Sequence, residues 1–202
     1  VDPEGFSYRQ ETLRKATHFF ALLIPACYLI FPKAWAIGLM SVATVAILAF
    51  EVIRLRKLAP WKYLGKVFGG MVRPKEESGN FTGALYIITG GLATIILFPR
   101  YVAATAITFE ILGDVASALI GRRWGKHYFR KPKTIEGACG FLVVALLIVI
   151  IAPKVPYTVG IIGAIVATVV EAISIHRDDN LTVPLSAGLA MHLLMVLFPQ
   201  LP

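Results

Sequence analysis

The chain has 202 residues, 57% of them apolar and 16% charged, with a formal net charge of +8 and a mean hydropathy of +0.73. A soluble domain is about 45–50% apolar and about 25% charged, so no soluble core of this size takes up the excess. The composition excludes a secreted, disordered or ordinary cytosolic protein and predicts an integral membrane protein. The positive charge then reads as cytoplasmic loops facing anionic lipid, not as a nucleic-acid footprint. Cys27 and Cys139 lie in apolar runs without metal-ligand spacing and read as small hydrophobes.

A bilayer-spanning helix needs roughly 17–25 mostly apolar residues. Seven stretches qualify: 12–31, 34–53, 81–98, 101–120, 137–152, 157–175 and 182–198. The apolar run of the first follows Arg14, Lys15 and His18 without a small-residue cleavage site, so it reads as a span and not as a signal peptide. Prolines 32, 99, 153, 156 and 199 punctuate the pattern. The expectation is one all-α, polytopic domain over 1–202. Of the 20 Lys and Arg, all but Lys33, Arg100 and Lys154 fall in the N-terminus and in connections 54–80, 121–136 and 176–181. The positive-inside rule puts the N-terminus in the cytoplasm and the C-terminus outside. The roomy connections, and with them any polar site, then face the cytoplasm. Segment 60–71, mixing aromatic, aliphatic and basic residues, predicts a short interfacial helix.

Charges within spans are costly and are functional candidates by default. Glu110 and Asp114 are four residues apart on one helical face. Two such carboxylates repel unless a cation or proton separates them. Glu51, Glu136 and Glu171 add acids toward the same side; Glu51 also reads as a plain interfacial acid paired with Arg54 or Arg56. Magnesium takes one or two carboxylates and completes its shell with substrate phosphates, while Lys and Arg neutralise a transferring phosphoryl group. The densest stretch is 113–137. Its glycines, including Gly121, let backbone approach a phosphate, Arg122, Lys126 and Lys133 supply donors, and Thr134 can cap the helix after it. Asp178, Asp179 and Asn180, following Glu171 and Arg177, read either as a capped polar turn or as further metal or nucleotide ligands. Glu11, Arg14 or Lys15, and His18 share one helical face, either as a basic anchor or as part of a site. No Walker A pattern is present.

Taken together, Glu11-x-x-Arg14-Lys15-x-x-His18, Gly113-Asp114-x-Ala116-Ser117, Gly121-Arg122-Arg123-x-Gly125-Lys126, Lys133-Thr134-Ile135-Glu136-Gly137, and Glu171 followed by Asp178-Asp179-Asn180 and Pro184 resemble the polyprenol kinase family. That family includes dolichol, phytol and farnesol kinases and the fungal CTP-dependent diacylglycerol kinase. The resemblance runs over nearly the whole chain, with the motifs in order. It implies a kinase that transfers the γ-phosphoryl of CTP to an isoprenoid or other lipid alcohol in the membrane. Arg14, Lys15, Asp114 and Gly121 match positions that activity needs. Asp114, with Asp179 or Glu110, would hold magnesium. Arg122, Lys133 and Arg14 or Lys15 would clamp phosphates, with Gly121, Lys126, Thr134, Asp178 and Asn180 beside the nucleotide. Asp114 or Glu136 would meet the alcohol's proton.

The middle motifs also resemble phosphatidate cytidylyltransferases, which make a CDP-lipid. Those carry a His-Gly-Gly element that this chain lacks. A small ion-coupled transporter using Glu110 and Asp114 is the reading from a different class. Gly79, Gly83, Gly90, Gly91 and Gly163 permit close helix packing, including against a second copy.

Overall fold

The computed structural model describes residues 18–68, 79–130, 133–152, 154–174 and 179–200. In chain order its helices are α1 (Leu23–Ile30), α2 (Lys33–Leu55), α3 (Trp61–Phe68), α4 (Gly83–Leu97) and α5 (Arg100–Trp124). Strands β1 (Tyr128–Arg130) and β2 (Lys133–Thr134) follow, then α6 (Ile135–Ile151), α7 (Tyr157–Ile173) and α8 (Asp179–Leu197). Three helices, α2, α5 and α8, are long and apolar enough to cross a membrane. Four shorter apolar helices, His18–Ile30, α4, α6 and α7, coincide with the other expected stretches.

Proline sets the boundaries. Helices α2, α5 and α7 start directly after Pro32, Pro99 and Pro156. The residues before the first two, Phe31 and Phe98, are extended. Proline pushes its predecessor out of the helical region, which ends one helix, and presets φ for the next. Proline 184 lies inside α8. It has no N–H to give the carbonyl of Asn180 four residues back.

Helix α5 is the hub. It packs against α1, α4, α6, α7 and α8, and Val102, Ala103, Ala106, Phe109 and Ile111 on it are buried. Its approach to α6 is close at Gly113, where an added Cβ would stand 2.4 Å from the Phe141 ring. The rest of the bundle turns apolar side chains outward. Tyr157, Ile161, Ile165, Val169 and Ile173 form an exposed four-residue-spaced stripe along α7, and Trp35, Leu39, Val42 and Val45, three or four residues apart, form another on α2. Stripes of this length are rare on soluble monomers; lipid satisfies them. These helices have the composition and exposure of a membrane protein.

Three expectations need correction. The stretch 121–124 is the last turn of α5, not loop, because Gly121 is held against Thr134 and Gly137 at the head of α6. The connection at 121–136 is also not purely irregular: β1 pairs antiparallel with β2, Tyr128 opposite Thr134. Likewise, α8 opens at Asp179, not Thr182. Segment 61–68 is helical as expected, with Trp61 edge-on to Phe50 at 5.8 Å. Three of the glycines read as packing sites are used within the chain: Gly90 lies under the Asn180 carbonyl, Gly91 under Met40 and Gly163 under Met191, whereas Gly79 has open space around it and a positive φ.

The cations assigned to the outer side bind helix ends and rings. Lys33 Nζ donates to the carbonyls of Ile96 (3.1 Å) and Phe98 (3.3 Å) at the end of α4. Arg100 donates to the Phe31 carbonyl at 3.0 Å and covers the Tyr28 ring, and Lys154 covers Tyr101 at 5.0 Å. Positive charge at a helix C-terminus is favourable.

At the other end, Glu51 is 0% exposed. It pairs with Arg54 and accepts from the Thr82 backbone N–H (2.8 Å) and the Thr82 hydroxyl, while Arg54 also reaches the Asn80 carbonyl at 2.6 Å. Of the two expected partners, it takes Arg54. The pair ties α2 to the start of α4. Removing one member of a buried pair costs about 3–5 kcal/mol, because the other charge is left behind. Glu51→Ala is therefore expected to lower the melting temperature of the detergent-solubilised protein markedly, whereas a melt unchanged within error contradicts the clamp.

Candidate active site

Five elements bring polar side chains to one end of the bundle. On α5, Glu110 and Asp114 lie one turn apart on the same face, and Ser117 follows. His18, ahead of α1, places its Nε2 3.5 Å from Asp114 Oδ2 and 3.8 Å from Glu110 Oε1. From β2, Lys133 reaches across to Glu171 on α7 and to Asp179 Oδ2, 3.3 Å away on α8. The Ser117 hydroxyl donates to Glu171 Oε1 at 3.1 Å. Asp114 lies within electrostatic reach of Lys133, Glu171 and Asp179.

The local sequence explains the placement. Thr134 caps α6, its hydroxyl accepting from the Gly137 N–H at 3.0 Å. The strand pair delivers Lys133 just before that cap. Gly121 and Gly137 allow the approach: a Cβ on Gly121 would lie 2.8 Å from Thr134 Oγ1, and one on Gly137 would lie 2.9 Å from the Ser117 carbonyl. Burial disfavours the Lys133 ammonium, but Glu171 and Asp179 outweigh it and raise its pKa above the ordinary lysine value. The contribution of that charge to stability is complete below the ordinary lysine value. It is lost only as pH rises through the raised one, so the clamp is charged throughout the physiological range.

Exposure is graded. Asp114 is 32% exposed along its side chain and faces the open end. Glu110, one turn deeper, is 3% exposed and His18 6%. Among the described residues no three His, Cys, Asp or Glu converge as a preformed metal cage. Magnesium needs only one or two protein carboxylates beside phosphate and water, and Asp114 and Asp179 at the open end fit that requirement.

Of the residues singled out from the sequence, Glu110, Asp114, Lys133 and Asp179 come together here. Thr134, Gly121 and Asn180 support the same end: Thr134 as a cap, Gly121 in the α5–α6 contact, and Asn180 in the first turn of α8. Arg122 and Lys126 are exposed at the end of α5 and just after it. Glu136 is turned to the hairpin instead, 2.7 Å from His127 Nδ1 and 3.3 Å from its backbone N–H. Arg14, Lys15 and Asp178 lie outside the described residues. His18 and Glu171, each left open in the sequence between an anchoring or capping role and a site role, also reach this cluster. Ser117 has no signal in the sequence beyond its place in the Gly113–Ser117 motif.

The chain is 31% identical over 192 residues to the uncharacterized protein RP860 of Rickettsia prowazekii, covering 91% of this chain and 93% of that one. It belongs to the same family as that rickettsial protein. It is also 29% identical over 195 residues to a phytol kinase of a Synechocystis species, covering 89% of this chain and 77% of that enzyme. It is thus a distant homologue of a phytol kinase, and its apolar helices agree with a membrane protein. No family model and no solved structure matches the chain.

Proposed function

We propose that this protein is a CTP-dependent kinase for a lipid alcohol of the polyprenol type. The homology to a phytol kinase supports the reaction class. The observation that carries the assignment is the joining of Asp114, Lys133, Glu171 and Asp179 at one end of an otherwise apolar bundle. This cluster combines anionic ligands for a cation with a fixed ammonium for phosphate. In the accompanying topology all seven apolar helices span the membrane, the N-terminus is cytoplasmic and the cluster faces the cytoplasm, where the nucleotide is.

In the reaction the alcohol oxygen bonds to the γ-phosphorus, the bond from that phosphorus to the bridging oxygen breaks, and CDP leaves. The hydroxyl proton passes to a carboxylate of the cluster. Asp114 and Asp179 would hold magnesium, which supplies charge neutralisation on the triphosphate when bound. Lys133, Arg122 and Arg14 or Lys15 clamp phosphate oxygens. Positioning and charge neutralisation account for most catalysis of this kind. The test is phosphoryl transfer by purified protein to mixed isoprenoid alcohols and diacylglycerol. A labelled lipid phosphate supports the reading and names the alcohol.

A further inference from the structure

Among the described residues, Glu110 is the carboxylate of the cluster with a buried oxygen that accepts no hydrogen bond. Among the described residues, no donor lies within hydrogen-bond distance of its Oε1. His18 Nε2 stands 3.8 Å from it, beyond hydrogen-bonding range. Buried polar atoms are nearly always paired, so an oxygen left without a donor among the described residues is a place for a further one. Glu171 and Asp179 already have Lys133, and Glu136 has His127.

Position says which partner. Glu110 lies four residues, about 6 Å of helix rise, deeper along α5 than Asp114. A nucleotide arriving with its water and magnesium meets the open end at Asp114, Lys133 and Asp179. A hydrated cation does not suit Glu110, which is 3% exposed and packed into the helix core. A single O–H group carried on an apolar tail does. The tail has a route: His18, which borders Glu110, is followed by Phe19 and Phe20, exposed on the bundle's outer surface at 56% and 66%. The outward-facing apolar surface thus begins one residue from the side chain that borders Glu110.

We infer that Glu110 is the docking point for the alcohol, its Oε1 accepting a hydrogen bond from the substrate hydroxyl. The assignment rests on the kinase reading for the identity of the donor. It separates two roles on one helix face: Asp114 serves the nucleotide end, Glu110 the lipid end. Glu110 then positions the alcohol and is not a magnesium ligand.

The test compares farnesol with farnesyl methyl ether, which keeps the tail and the oxygen but lacks the O–H. Thermal stabilisation of the purified full chain is titrated with each, without nucleotide. The wild type is expected to half-saturate at a concentration at least tenfold lower for farnesol than for the ether. Glu110→Leu should lose that preference, and Glu110→Gln, which keeps a carbonyl acceptor and the side-chain shape, should retain part of it. In turnover, the Glu110→Gln and Glu110→Leu variants should raise KM for the alcohol while leaving KM for CTP and the magnesium requirement in place. Equal response of the wild type to alcohol and ether overturns the inference and points to a buried water at Glu110. So does an altered magnesium requirement with unchanged alcohol KM. Failure of the kinase reading shows separately, as a wild type that binds farnesol preferentially and transfers no phosphoryl group to it.

Discussion

Asp114→Asn is expected to lower lipid phosphorylation by about 10²–10³-fold, the range for losing one electrostatic partner of a transition state, while the protein still folds. Asp114 is partly exposed and in reach of Lys133, Glu171 and Asp179, so its charge acts where the triphosphate must sit. Its side chain is not a packing element, and the amide has nearly the same shape. Melting should therefore change little, and the loss should appear in kcat and in the magnesium dependence. Turnover of the variant close to wild type contradicts the assignment of the site.

Lys133→Met should have a second large effect, on both function and stability. It removes the ammonium that joins β2 to α7 and α8. Nucleotide KM is expected to rise about tenfold or more, with turnover down about 10²-fold, as for other lost charge contacts to a transferring phosphoryl group. The variant also leaves Glu171 and Asp179 near Asp114 without their counter-charge, so the melting temperature should fall. Adding Glu171→Gln should return part of that stability, because it removes one of the stranded carboxylates. Residues sharing one ion-pair network couple, and a double-mutant cycle measures the coupling. Strictly additive melting shifts for the two substitutions contradict the network.

Much of the helical layout was legible because its determinants are local. Apolar runs bounded by Pro32, Pro99 and Pro156 mark helix limits within a few residues, and the four-residue spacing of Glu110 and Asp114 places both on one face. The rest depends on tertiary approach. Lys133 and Glu171 are separated by 38 residues and Ser117 and Glu171 by 54; no periodicity links them. The glycines at 113 and 121 invite a phosphate-loop reading, yet helix α6 packs against them, and that contact extends α5 past its expected end. Glu51 illustrates the same limit. Its partner Arg54 is visible at i,i+3, but its anchoring of Thr82 is not. The spacing of Glu110 and Asp114 gives their separation along α5, but their difference in burial, on which the division of the site rests, comes from the packing around that helix.

The most direct test of the account is to incubate the purified protein with isoprenoid alcohols, diacylglycerol, phosphatidate and magnesium, with CTP labelled at either the α or the γ phosphate. The account predicts label in a lipid phosphate from γ-labelled CTP and none from the α-labelled nucleotide. Label entering lipid from the α position contradicts it and makes the protein a cytidylyltransferase. Folded protein that transfers neither label contradicts it as well.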